Sequence, residues 1–510
     1  MGRGGKVKND ELERLKTIEK RIKEIVENFG LLTTDIVFEI VPVQRMLEGM
    51  AYEFPINFSH WSFGRDYEKH RTIYDHTGQG IPYEQVWNFD APRALLVETN
   101  PFALNVTTIA HVYGHVDYFL GNAYLKRGRI FSDVANETKR AVSRFHEYES
   151  KYGKEGVEKT IDAGLSLRWQ QNPDLFVEEE FDDEAVREKI ITLERERLRS
   201  RDSYFVFNDK ESEENIKAIE DKLKYLNKKT PPNPIYDLLG YITHHSSILK
   251  PWQRDVLTVV RNQALALAPN RRTKMLDEGW ATYWHVKIMR RLFEEGLLTA
   301  EEHNIFNTFH SRVTQESKMS FNWYRIGLAL FENIKERWDR GRFGLEYEDC
   351  KDSAKRAYWD VGTNKGSEKI FQVRSSYSDR MAIEEFFTDE FIREMSLYLY
   401  EEQISGADII YRITENRPEV IRNILKQSFA LYGIQPIAIE DANYKEKQDF
   451  YLKHCYYGLE LEPRYRDGTL RNIHYLWGRN VYLATVTDDK DVLVNFDGSS
   501  IKTEYVSKAI

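Results

Sequence analysis

NVTTIAHVYGHVDYFLGNAYL, residues 105–125, is the stretch on which the reading of this chain turns. It reads as a helix beginning near Asn105, apolar or aromatic on every side, with Asp117 as its one carboxylate. A helix without a polar face is a buried helix. The domain around it must therefore be large, and helical enough to cover it. Within this apolar run stand His111 and His115, one turn apart. Side chains at i and i+4 lie one above the other with Cβ atoms about 6 Å apart, so both imidazoles can reach one ion at about 2.1 Å. The same spacing also suits two hydrogen-bonded core histidines. Val112 occupies the position at which an H-E-x-x-H metalloprotease carries its glutamate.

A second apolar and aromatic segment, DEGWATYWH at 277–285, holds Glu278. A buried carboxylate needs a partner, and a divalent cation is the strongest one available. Salt-bridge partners also lie close by in Arg271, Arg272 and Lys274. The pair HVYGH and EGWA resembles the metal half of gluzincin peptidases, which take two histidines from one helix and a glutamate from a second. That resemblance implies His111, His115 and Glu278 as ligands of a divalent metal, zinc ahead of iron. With Val112 unable to take a proton, the candidates for acid/base work or for orienting a ligand are Glu98, Asp117 and His285, with His244 and His245 behind them. His285 lies two turns beyond Glu278 on roughly its face.

The rest of the chain bounds the answer. Its 510 residues are 41% hydrophobic and 13% aromatic, enough for a large core and more than one domain. The 73 basic and 82 acidic residues are dispersed and sum to −9, so no basic face suggests nucleic acid. Two cysteines, Cys350 and Cys455, exclude a disulfide framework and a thiolate cluster. The terminus MGRGGKVKNDELERLK lacks the apolar core of a signal peptide, and no run of about 18 apolar residues suggests a membrane span. A soluble cytoplasmic protein is expected.

Along the chain, leucines, isoleucines and valines at helical spacing predict a helix from Asp10 to about Phe29, stopped by Gly30. INFSHWSFGRDYEKH reads as a loop-like aromatic run whose Trp61, Phe63 and Tyr67 pack on the core, and RALLVETN as a short buried strand or helix end. Residues 183–228 are a charged insertion, closed by the break KKTPPNP at 228–234. Helical patterning resumes and lasts to about 403, and after about 412 short β-branched and aromatic runs predict strands. The expected architecture is mainly α: a helical domain over 1–411 carrying a gluzincin-like helix pair, then a small α/β domain over 412–510.

HVYGHVDYF, EGWATYWH, SHWSFG (59–64), PWQRDVL (251–257), RTKMLDEGWA, NWYRIGLALFENIKERWD, GSEKIFQVR, YLKHCYYGLEL and YLWGRNVYLATV occur in one order. They resemble the stage V sporulation protein R (SpoVR) family over about residues 34–500. The charged segment 183–228 and the MGRGGKVKND terminus fit the resemblance less well. The resemblance implies a cytoplasmic protein linked to the spore cortex or to stationary-phase stress. Its partners would be a PrkA-type serine kinase and a von Willebrand A-like protein. No settled reaction comes with it. Three functions compete: a metal-dependent enzyme distantly similar to zinc hydrolases, a non-haem iron oxygenase on two histidines and one carboxylate, and a non-catalytic regulatory scaffold whose C-terminal domain binds a partner.

Overall fold

Helical spacing after Asn9 is realised as α1 (Asn9–Asn28), which buries Leu15, Ile18, Ile22, Ile25 and Val26 along one face. Gly30 follows at φ 77°, a left-handed conformation open to a residue without Cβ. This computed structural model describes residues 9–53, 57–77, 82–89, 91–129, 133–202, 217–218, 221, 228–405, 408–430 and 432–506. The chain forms two compact units, Met1–Lys139 with Leu265–Gly433 and Arg140–Ala264 with Ile434–Ile510.

The first unit is mainly helical. It continues through β1 (Val37–Val41), α2 (Val43–Tyr52), α3 (Trp61–Thr77), β2 (Glu84–Trp87), β3 (Arg93–Val97) and α4 (Phe102–Gly121). After the other unit's intervening segment come α5 (Lys274–Glu294), α6 (Ala300–Val313), α7 (Trp323–Asp339), α8 (Gly366–Ser376) and α9 (Asp379–Phe386). β3 lies between β1, its parallel neighbour, and β2, its antiparallel one. The segment expected to be loop-like is helical from Trp61 onward. Phe63, Tyr67 and Tyr74 sit four and seven residues apart, a helical stripe that the aromatic crowding hides. Phe63 is buried, Tyr67 and Tyr74 pack on the cluster of Val41, Val43, Met46, Leu47, Leu95 and Val97, and Trp61 stays half exposed. Helical patterning read to 403 ends earlier, because β4 (Leu399–Ser405) and β5 (Asp408–Glu415) form an antiparallel hairpin. The texture change at about 412 falls within β5, whereas the units divide between Gly433 and Ile434.

The second unit holds a five-stranded sheet in the order β10-β9-β8-β7-β6, from β6 (Ile437–Tyr444), β7 (Asp449–His454), β8 (Val481–Thr487), β9 (Lys490–Phe496) and β10 (Ile501–Tyr505). β7 and β8 are parallel, and the helix Pro463–Trp477 makes the crossover a parallel pair requires. The start of the charged insertion is the helix Asp183–Asp202, while 203–216, 219–220 and 222–227 lie outside the described residues, as do residues 1–8 of the terminus. Among the described residues no helix is long and apolar enough to cross a membrane.

The core of the first unit runs from α1 through α4, α5 and α7 to Phe429, with Trp280, Tyr113, Tyr118, Phe119 and Phe331 fully buried. At its centre three helices touch through backbone. A Cβ on Gly114 of α4 would lie 2.6 Å from the Ala281 Cα of α5, and one on Gly279 of α5 would lie 2.4 Å from the Gly327 Cα of α7. α5 is thus held against both neighbours without side chains in between. Gly327→Ala, whose Cβ would meet the Met275 carbonyl oxygen at 2.4 Å, should cost about 1–3 kcal/mol as overpacking does. The check is the free energy of chemical denaturation; an unchanged value would show that the helices can part freely.

Candidate metal centre

His111 and His115 emerge from one side of α4 with ring centroids 4.6 Å apart and planes at 88°. Both rings are buried, at 5% and 4% exposure. α5 meets each ring at both nitrogens. Glu278 Oε2 lies 3.2 Å from His111 Nε2 and 3.5 Å from His115 Nε2. On the far side of each ring, Asp277 Oδ1 stands 2.7 Å from His115 Nδ1, and His285 Nδ1 stands 2.9 Å from His111 Nδ1. Both Nε2 atoms therefore face one carboxylate oxygen, and both Nδ1 atoms are held by the helix that carries it.

A second carboxylate closes the group from a different element. Glu84 at the start of β2 places Oε1 3.9 Å from His111 Nε2. Glu84, His111 and His115 offer ligand atoms that all lie within 4.8 Å of one another. Tyr324, in the first turn of α7, packs over His111 at 6.0 Å between ring centroids. Lys274 Nζ bonds Glu278 Oε1 at 2.5 Å. Two imidazoles and two carboxylates are the donor set of zinc, iron and manganese sites, so the residues present fit a divalent cation.

Charge explains how so many ionisable groups stay buried together. Burial by itself would raise Glu278, but Lys274, His115 and His111 outweigh it and hold the carboxylate well below its usual range. Burial likewise opposes a proton on His115, yet Asp277 and Glu278 overcome it and push the ring up to about 10 when no cation is present. Glu84 moves the other way: burial raises it, helped by Glu278, against the pull of His111 and His115. Burial beside His111 and His310 keeps His285 neutral, well below the usual imidazole range. Tyr324 is raised well above the usual phenol range by burial and by Glu278 and Glu84, so it keeps its hydroxyl proton.

The remaining candidates fall elsewhere. Asp117 is two residues past His115 and so on the opposite side of α4. It is fully buried, accepting from Leu32 N and Trp280 Nε1, each at 2.7 Å, with Arg374 Nε 3.2 Å from Oδ2. These contacts tie α1's following loop, α5 and α8 to α4. Glu98 lies in the turn after β3, where its N–H donates to Val41 O; among the described residues the acidic partners of the two histidines are Glu84, Asp277 and Glu278. His244 and His245 end the helix Leu238–His245 of the second unit, with His245 Nε2 2.7 Å from Phe181 O. Val112 is fully buried against Ala94 and Val116, facing the three-stranded sheet.

Glu84, Asp277, Tyr324 and His310 have no sequence reading as site residues, whereas Lys274 is readable as a salt-bridge partner of Glu278, the contact the structure shows. Asp277 and Lys274 flank Glu278 in the quoted segment RTKMLDEGWA, and Tyr324 stands in NWYRIGLALFENIKERWD. Those motifs were the available signal. Glu84 carries none, since a single carboxylate at the start of an edge strand has no spacing to betray it.

The family model described as SpoVR like protein matches residues 9–434, and that of the SpoVR-like C-terminal domain matches residues 436–488. The first match ends, and the second begins, within two residues of the division between Gly433 and Ile434, but the first also spans the Arg140–Ala264 part of the second unit. The chain is 25% identical over 493 residues to the uncharacterized protein YcgB of Escherichia coli (strain K12), covering 92% of this chain and 91% of that one. No solved structure matches.

Asp117 and Glu98 should separate sharply in a stability measurement. Asp117→Ala leaves the Arg374 guanidinium buried and uncompensated, which costs about 3–5 kcal/mol, while Glu98→Ala should stay within about 0.5 kcal/mol. Urea denaturation of the two variants checks this, and equal midpoints would remove Asp117 from its structural role.

Proposed function

The chain belongs to the SpoVR-like family, and we propose that it is a metal-dependent enzyme whose ion is held by His111, His115 and Glu278, with Glu84 beside them as a proton acceptor rather than a required ligand. The observation that carries this reading is the convergence of two carboxylates, from β2 and α5, on paired histidines within an otherwise apolar helix core. A divalent cation held there supplies Lewis-acid activation of a water or carbonyl oxygen. Glu84 supplies the proton acceptor that Val112 cannot be. It reaches the two histidines from β2, a different element from the one that carries Glu278. Tyr324, protonated and beside Glu278, is placed to donate to an oxygen that gains charge. Lys274 keeps Glu278 ionised, and Asp277 keeps the hydrogen of His115 on Nδ1, leaving Nε2 for the cation.

We take the reaction as hydrolytic and the ion as zinc ahead of iron, on the gluzincin-like helix pair. The iron oxygenase reading keeps one observation in its favour: the residue after His111 points into apolar packing, and oxygen activation needs no base there. On the family resemblance alone we place the enzyme in the cytoplasm, in spore-cortex, cell-envelope or stationary-phase stress physiology, beside a PrkA-type kinase and a von Willebrand A-like partner.

Protein purified from its own host should carry close to one zinc or iron per chain by elemental analysis, and His111→Ala should lose it while keeping its helical circular dichroism. Equal metal content in the two would sink the assignment. Glu84→Gln should retain the ion and lower turnover on a hydrolysable substrate about 10²–10⁴-fold. Because His115 holds a proton up to about 10 when no cation is bound, binding must displace that proton, so affinity should rise with pH across neutrality. A flat profile between pH 6 and 9 would show that His115 is not a ligand.

A further inference from the structure

α5 touches His111 at a second point that the ligand set leaves unused. His285 lies seven residues after Glu278, about two turns along the same stripe of the helix. Its Nδ1 is 2.9 Å from His111 Nδ1, and its Nε2 is 3.1 Å from Nδ1 of His310 on α6. The ring is 2% exposed, and Phe306 meets it edge-on at 6.0 Å. Three histidines from three helices thus form one hydrogen-bonded line from the candidate centre to the half-buried His310.

We infer that His285 and His310 are positioning residues which set the tautomer of His111, and so decide whether its Nε2 is open to a cation. The inference rests on the metal reading above. A neutral imidazole has one N–H and one lone pair, so each N···N contact needs a donor on one side and an acceptor on the other. For Nε2 of His111 to ligate, its hydrogen must be on Nδ1, donating to His285 Nδ1. His285 then carries its hydrogen on Nε2 and donates to His310 Nδ1, which leaves the His310 hydrogen on Nε2. In the opposite order His111 donates from Nε2 to Glu278 Oε2, 3.2 Å away, and Nε2 is closed. One choice fixes all three rings. His115 needs no such chain, because Asp277 is a carboxylate, accepts only, and pins the Nδ1 hydrogen directly.

The test uses the full chain with zinc, and with cobalt as a spectroscopic stand-in. His285→Phe keeps a ring of similar size but cannot accept; it should weaken zinc binding about 10- to 100-fold and shift the cobalt ligand-field bands. His285→Gln, whose Oε1 can accept from His111, should restore most of both. Should His285→Phe fail to fold, His310→Ala, on a half-buried ring remote from the ligands, should move the same bands. In ¹⁵N NMR of the zinc-loaded protein, His111 should carry hydrogen on Nδ1 and both His285 and His310 on Nε2. Unchanged zinc affinity and cobalt spectrum in His285→Phe and His310→Ala would overturn the inference, as would hydrogens on unlike nitrogens of His285 and His310. If the wild type binds no ion, the metal reading falls. The hydrogens of His285 and His310 in the metal-free protein then decide the chain separately, like nitrogens keeping it and unlike nitrogens ending it.

Discussion

The arrangement depends on how near α5 comes to α4 and α7. Gly114 against Ala281 and Gly279 against Gly327 bring backbone to backbone at points where one methyl group would collide. Interaxial distance between packed helices is set by the side chains at the contact, and here those side chains are absent or a single methyl. Asp277 and Glu278 have short side chains, and they reach the imidazoles of α4 only because the axes lie this close. A larger residue at any of these positions would widen the 3.2 and 3.5 Å separations of Glu278 Oε2 from the two histidines. The centre is thus specified by glycines that take no part in its chemistry.

Closeness creates an electrostatic difficulty, which the same helix resolves. Carboxylates and histidines out of water are tolerated only when paired and hydrogen-bonded. Two partners for Glu278 are open from sequence alone, a basic neighbour or a metal site; the structure shows the basic neighbour, Lys274 on Oε1, while Oε2 faces the two histidines. The start of α5 is held in turn by Asp379 of α9, which accepts from Met275 N at 2.8 Å and Leu276 N at 3.0 Å. Fixing that first turn fixes Lys274, Asp277 and Glu278 together, since all three lie within five residues of it.

What could be read from sequence followed the range of the physical signal. His111 and His115 were legible because four residues on a helix is a local spacing, and Glu278 because a carboxylate in an aromatic stretch needs a partner. Helices α1, α4 and α5 were legible for the same reason, as was the strand-rich end of the chain. Glu84 lies 27 positions before His111 on an edge strand, and only the folding of β2 beside α4 brings them together, which no period encodes. Asp117 was legible as a buried carboxylate but not in its role, because Arg374 comes from far along the chain. The two units were hidden similarly: the second is assembled from Arg140–Ala264 and Ile434–Ile510, and composition changes along the chain cannot show which distant stretches pack together.

The valine after His111 follows from the same packing. Successive residues of a helix diverge by about 100°, so residue 112 points away from the side shared by 111 and 115. In this unit that direction is filled by the three-stranded sheet, where Val112 and Val116 pack on Ala94 of β3 with Val86 of β2 alongside. A glutamate at 112 would be buried among these apolar groups without a partner. Val86 pairs with Ala94 across the ladder, and Glu84 pairs with Leu96 two residues away. Strand side chains alternate with a period of two, so Glu84 and Val86 share one face. The face that seals Val112 into the core is therefore also the face that carries Glu84 toward His111. Moving the carboxylate from helix to sheet is one structural solution: the sheet face that leaves only apolar surroundings at 112 brings a carboxylate to His111 from a different direction.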